Sequence, residues 1–271
     1  MERFIEILKY IFLGFLQGIS EILPISSSGH LMVAQHLLKV NESAIATFTI
    51  FLHFASLLAL LIFFRKLIYR IISGSFQYLF YKNKDRKDDF LLLLYVIVAS
   101  IPIGVIGILF QDSIESLFSN LLFVGFSFLF TAFVLLIISF LKEGNKEKVD
   151  LKAAIYTGFA QLIGIFPGVS RSGMTLSGAK CASLKQEKAK EFAFLLFIPA
   201  ALGSFIFSLD DAKYLFQDSQ MAILSMIAMI VAFIFTLLSL TFIFKKFNNK
   251  HYRYFAIYLV FIGIFTIFIG I

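Results

Sequence analysis

Two short polar stretches interrupt an otherwise apolar chain: LPISSSGH at 23–30 and PGVSRSG at 167–173. They hold Ser26, Ser27, Ser28 and His30 in the first and Ser170, Arg171 and Ser172 in the second, with Gln17 and Glu21 just upstream of the first. A guanidinium at bilayer depth costs about 2.5–3.5 kcal/mol on insertion scales, so Arg171 requires an anionic partner. Its planar fork suits phosphate oxygens. A structural ion pair with Glu21 is the alternative, and the two are compatible. Serine favours helix N-caps, and the first N–H groups of a helix lack internal partners, so each serine cluster prepares a helix terminus able to receive an anion. In the first stretch this terminus runs through Ser28 and Gly29; in the second, Gly168 and Gly173 let backbone come close to a ligand, with a helix expected to start near Gly173.

Glu21 lies four residues after Gln17, so on a helix both face the same way. A carboxylate and an amide oxygen so placed could hold a hard divalent cation that also binds substrate phosphates; alternatively, Glu21 bonds to the serine loop. His30, two residues past that loop, stands within possible reach of Glu21, Ser27 and Arg171, where an imidazole can be nucleophile, base or proton donor. His36 and His251 read as ordinary, and His53, in mid-span, as a cross-helix hydrogen-bonder. Together these groups suit phosphoryl transfer: Arg171, the helix termini and a metal to stabilise charge, and Ser27, His30 or a water to attack. The absence of GxxxxGK[ST] and HExxH sequences disfavours a nucleotide or zinc enzyme.

The elements that must position these groups are membrane helices. The 271 residues are 59% hydrophobic and 15% charged, with a mean hydropathy of +0.90, against about 45–50% apolar and about 25% charged in soluble domains. A single cysteine, Cys181, excludes a disulfide framework, and 36 Phe with four Pro exclude a disordered or collagen-like chain. The net charge of +7 fits loops on an anionic membrane face better than nucleic acid. Six stretches, 45–64, 90–110, 120–141, 189–208, 220–244 and 254–271, meet or approach the roughly 20 residues of a span. Segments 4–23 and 151–166 lead into the polar stretches and read as hairpins that enter and leave on one side, since broken helices at membrane depth need a protein or polar surround. Glu2, Glu6 and the lack of a small-residue cleavage site argue against a cleavable signal peptide.

Segments 65–89, 142–152, 180–190 and 245–253 carry 19 Lys/Arg, against four (Arg3, Lys9, Lys39, Lys213) in 1–10, 39–44, 111–119 and 209–219. The positive-inside rule therefore puts both termini outside, and the 65–89 segment is read as a basic, solvated loop. A shift of 144 residues lays FLQGISEILPISSSG (15–29) on FAQLIGIFPGVSRSG (159–173), matching Phe15/Phe159, Gln17/Gln161, Ser26/Ser170, Ser28/Ser172 and Gly29/Gly173, and Phe48 further on with Phe192. The charge layout orients the halves oppositely, which predicts an inverted repeat: one membrane domain over 1–271, with repeat one about 1–141 and repeat two about 150–271.

GFLQGISEILPISSSGH (14–30) and PGVSRSGMT (167–175) resemble the two signature motifs of the bacterial undecaprenyl-pyrophosphate phosphatase family of the bacitracin-resistance type, [E/Q]xxxE with PxSSxGH and PGxSRSxxT, in the right order. The resemblance implies an all-α polytopic membrane protein with six transmembrane helices and two re-entrant hairpins. It implies a multi-pass enzyme of the bacterial plasma (inner) membrane, its site open to the outer face. That enzyme removes one phosphate from undecaprenyl pyrophosphate, recycling the lipid carrier for peptidoglycan synthesis. Residues matching its catalytic positions are Glu21, Ser27, His30 and Arg171; those matching its phosphate site are Ser26, Ser170, Ser172 and Thr175; and it requires Mg²⁺ or Ca²⁺. Gln at 17, where the family also has Glu, leaves one carboxylate fewer for metal. The substrate's apolar tail stays in lipid, and a homo-oligomer is compatible with this layout. A polyprenyl-phosphate transporter or flippase is the competing class; phosphate release by purified protein separates the two.

Overall fold

A computed structural model describes residues 2–40, 45–207 and 219–271. The segments 39–44 and 209–219, assigned to the outer face by the charge count, lie outside these residues except at 39–40 and 219. Among the described residues every extended element is a helix: α1 (Glu2–Ser20), α2 (Ser27–Leu38), α3 (Ile45–Phe63), α4 (Arg65–Phe80), α5 (Lys87–Leu109), α6 (Gln111–Ser116), α7 (Leu121–Phe140), α8 (Leu151–Ile163), α9 (Arg171–Cys181), α10 (Gln186–Phe207), α11 (Ser219–Lys245) and α12 (Asn249–Gly270). Among them five are long and apolar enough to cross a membrane, or six when the bent pair α3–α4 counts as one broken span. The protein is therefore a multi-pass membrane protein.

The 65–89 segment differs from expectation. It is helical over α4, turned 71° from α3, and only part of its remainder is irregular. Ile71, Gly74 and Ser75, at helical spacing, are buried, while the large apolar side chains of Tyr69, Ile72 and Phe76 are exposed. Arg70 Nε ties α4 to Asp89 of α5 at 3.1 Å.

Small residues let the helices close on one another. A Cβ on Gly14 would lie 2.2 Å from the Ala228 carbonyl oxygen, and one on Gly18 2.6 Å from that of Ala232. α1 therefore rests its small face on the alanine face of α11, a spacing that brings membrane helices into close backbone packing. Gly125 of α7 and Gly263 of α12 serve a second such contact. Two lysines at the basic end cap buried turns near helix C-termini, where carbonyls lack partners and cations are favoured: Lys180 Nζ donates to the Ile138 carbonyl (2.9 Å) and Lys190 Nζ to the Ile243 carbonyl (3.0 Å).

Candidate functional site

α1 stops where Pro24 cannot donate to its ladder; the last helical hydrogen bonds are Glu21 N to the Gln17 carbonyl and Leu23 N to the Ile19 carbonyl. The chain then turns through Ser26, held at φ 70, a region few residues other than glycine occupy, and starts α2 at Ser27. Ser26 is the N-cap, its Oγ accepting from Gly29 N at 3.4 Å. The second break repeats the device. α8 ends at Ile163 with Gly164 as its C-cap, Pro167 and Gly168 follow, and Ser170 Oγ accepts from Gly173 N at 3.0 Å. α9 thus begins at Arg171, two residues before the start near Gly173 expected from sequence.

The loops touch. Gly168 N donates to Ser28 Oγ (3.4 Å), and Ser172 Oγ donates to the Leu23 carbonyl (3.0 Å). Within each loop the flanking serines meet, Ser26 with Ser28 at 3.4 Å and Ser170 with Ser172 at 3.3 Å. Gly168 has φ 83, and a Cβ there would lie 2.7 Å from Ser127 Cβ and 2.8 Å from the Val124 carbonyl oxygen, so only glycine fits. Ser170 N is secured by Thr131 Oγ1 of α7 at 3.2 Å.

At the junction Glu21 is buried and gathers donors from four directions. Arg171 Nη2 lies 2.9 Å from Oε1. Oε2 receives the Gln17 amide at 2.9 Å and the Ser27 hydroxyl, and it lies 3.1 Å from His53 Nε2. The Arg171 guanidinium also stacks over the Phe197 ring, 4.4 Å from its centroid, a favourable cation–π placement. The expected partnership of the intramembrane cation and acid is present, 150 positions apart in the chain. A small cavity opens beside it, bounded by Glu21, Arg171, Ser172, Thr175, Phe194 and Phe197. Thr175 Oγ1 turns back to the carbonyls of Arg171 (3.0 Å) and Ser172 (3.2 Å), steadying the first turn of α9.

His30 differs from the sequence expectation. The Ser26 carbonyl, 2.7 Å from Nδ1, can only accept, so Nδ1 carries the hydrogen and Nε2 accepts from the Tyr258 hydroxyl at 2.6 Å. The imidazole stacks on Tyr258 (5.5 Å between centroids) and meets Phe128 edge-on. Its hydrogen bonds therefore run to the Ser26 backbone and α12, and the histidine on the Glu21 carboxylate is His53. That residue does hydrogen-bond across helices, and a lone histidine in an apolar span was its one sequence signal. Tyr258, Thr131 and Phe197 carried none.

Gln17 also reaches Ser56 Oγ at 3.3 Å, which accepts from Thr236 Oγ1 at 3.0 Å, joining α1, α3 and α11. Its Oε1 is buried and has no hydrogen-bond partner. Among the described residues no three His, Cys, Asp or Glu side chains gather as a metal cage. The Gln17 amide oxygen and the Glu21 carboxylate are hard oxygens of the kind that Mg²⁺ or Ca²⁺ takes, although the amide turns its nitrogen to the carboxylate.

The family model described as "Bacitracin resistance protein BacA" matches residues 10–265. The chain is 39% identical over 269 residues, 98% of its own length and 99% of the relative's, to a protein of Bacillus thuringiensis (strain Al Hakam) named undecaprenyl-diphosphatase 2. It is 37% identical over 267 residues (97% and 96%) to an undecaprenyl-diphosphatase of Oceanobacillus iheyensis. With one of Treponema denticola it shares 38% over 262 residues (96% of each).

Proposed function

The chain belongs to the bacitracin resistance protein BacA family, and from that premise we propose that the Glu21–Arg171 junction is its active site. The protein is a membrane phosphatase that hydrolyses undecaprenyl diphosphate to undecaprenyl phosphate and inorganic phosphate, serving the lipid carrier of cell-wall synthesis and conferring bacitracin resistance. The observation that carries the site is the pairing of a buried carboxylate with both a guanidinium and a serine hydroxyl.

In this reading Arg171 and the N-termini of α2 and α9 receive the diphosphate, and Phe197 holds the guanidinium plane. Ser26, Ser28 and Gly29 on one loop, and Ser170, Ser172, Gly173 and Thr175 on the other, shape the phosphate pocket. Glu21 Oε2 takes the Ser27 proton as Ser27 Oγ bonds to the terminal phosphorus; the bridging P–O bond breaks, and its electron pair leaves with undecaprenyl phosphate. Water then attacks the phosphoserine, releasing inorganic phosphate, and one of the water's protons joins the phosphate while the Glu21 proton returns to Ser27. His30, braced by Tyr258, fixes the backbone turn at Ser26. Gln17 Oε1 and Glu21 are the residues that would hold a divalent cation, which supplies further charge neutralisation at the phosphates when bound.

The two loops exchange near-equivalent hydrogen bonds, Ser28 with Gly168 and Ser172 with Leu23. α1 packs on α11 as α8 packs on α5, while α3 meets α10 and α7 meets α12. His53 and Phe197, 144 positions apart, flank the acid and the cation respectively. These pairings support an inverted repeat with two re-entrant hairpins in one membrane domain of the plasma membrane. The charge split supports both termini outside, and the diphosphate entering from the outer face while the polyprenyl tail stays in lipid. Phosphate release from undecaprenyl diphosphate by the purified protein, with and without chelator and in the His30→Ala variant, tests the reading; a protein that only transports releases none.

A further inference from the structure

We propose that His53 is a positioning residue of the phosphatase reaction, holding the Glu21 carboxylate so that Oε2 faces the Ser27 hydroxyl. The inference rests on the reading of Glu21 as the acceptor of the Ser27 proton. Glu21 stands just past the last turn of α1, beside a proline break, where backbone alone leaves its side chain several staggered rotamers. α3 removes that freedom. His53 Nδ1 lies 2.8 Å from the Thr49 carbonyl, a contact that fixes the ring plane from behind. Nε2 then points at Glu21 Oε2, 3.1 Å away.

One turn on, Ser56 of the same helix face takes the amide of Gln17, and Gln17 donates in turn to the same Oε2. α3 therefore clamps both members of the i,i+4 pair, Glu21 directly and Gln17 through Ser56. On the other side Arg171 draws Oε1 toward the cavity. The carboxylate is pulled at both ends, which sets its plane, and the Ser27 hydroxyl meets the oxygen His53 holds. Hydrogen bonds to a charged acceptor are the strong ones. Reaction rates depend steeply on such alignment, since a misplacement of about 1 Å can cost about a hundredfold.

The test compares His53→Leu, His53→Gln and Glu21→Gln by kcat and KM for undecaprenyl diphosphate, with circular dichroism and gel filtration in detergent to establish folding. Glutamine places an amide nitrogen near the position of Nε2 and can donate to Oε2 without acid–base chemistry. We expect His53→Leu to lower kcat about ten- to a hundredfold with KM nearly unchanged, and His53→Gln to recover most of that loss. Wild-type kcat in His53→Leu, a change confined to KM, or a folded His53→Gln as impaired as His53→Leu would each overturn the proposal. Should His53→Leu fail to fold, His53→Asn, whose amide is too short to reach Oε2, takes its place with the same expected loss. Wild-type turnover in Glu21→Gln would instead refute the acceptor role of Glu21 itself, whatever the His53 variants do.

Discussion

Replacing Arg171 with alanine is the sharpest test of the site. The guanidinium lies 2.9 Å from Glu21 Oε1, and the Glu21 side chain is only 4% exposed. Breaking a buried ion pair by removing one partner costs about 3–5 kcal/mol. Here Gln17, Ser27 and His53 still donate to the carboxylate, so the loss in stability belongs at the lower end, about 3 kcal/mol. Turnover should suffer more. An arginine that neutralises charge on a transferring phosphoryl group is worth about 10³–10⁵ in kcat, and one lost hydrogen-bond donor to a developing oxyanion about 10²–10³. The Arg171→Ala protein should therefore lose at least about a thousandfold in phosphate release while remaining helical and monodisperse in detergent. Arg171→Lys keeps the charge but not the planar fork, and should fall between. The assay is release of inorganic phosphate from undecaprenyl diphosphate at saturating substrate, alongside thermal unfolding by circular dichroism. A folded Arg171→Ala protein within about tenfold of wild type, a difference of about 1.4 kcal/mol in barrier, would refute the charge-clamp argument.

Tyr258→Phe keeps the ring stacked on His30 but removes the donor to Nε2, and should lower stability by about 0.5–1.5 kcal/mol; an unchanged thermal midpoint would contradict that hydrogen bond. Gly168→Ala forces a side chain into φ 83 and against Ser127 and Val124, so it should destabilise by about 1–3 kcal/mol, measured by thermal unfolding in detergent. Removing divalent cations with chelator should suppress turnover, and Gln17→Ala should raise the Mg²⁺ concentration needed to restore it; restoration at the wild-type concentration would remove Gln17 from the metal site.

Much of this was legible in the chain, for physical reasons. Six apolar stretches announce themselves because lipid leaves a helix little choice of side chain. The two breaks are marked by prolines, and the serine caps Ser26 and Ser170 follow from the unpartnered N–H groups they serve. The pairing of Arg171 with Glu21 could be anticipated because neither charge can remain alone at that depth. What stayed hidden depends on separation in sequence or on geometry that no local pattern encodes. Tyr258 reaches His30 across 228 positions, and one tyrosine among ten carries no mark of its partner. The turn between α3 and α4 falls at Phe64, with neither proline nor glycine to signal it. His53 drew notice as an oddity in its span, yet only the crossing of α3 over the α1–α2 connection reveals which acid it faces.

The composition of the Glu21 cluster bears on how the protein is made. Three of its four donors, Gln17, Ser27 and His53, lie within the first 53 residues, whereas Arg171 follows 150 positions after the acid it pairs with. At about 5–20 residues per second, a ribosome delivers that cation roughly 8 to 30 seconds later. During the interval the nascent N-terminal half must shelter a carboxylate in the bilayer by its own means, and the amide, hydroxyl and imidazole already synthesised are equipped to do so. The second half then docks onto a prepared acid, and the cross-loop stitches of Ser28 and Ser172 can close only once both halves are inserted.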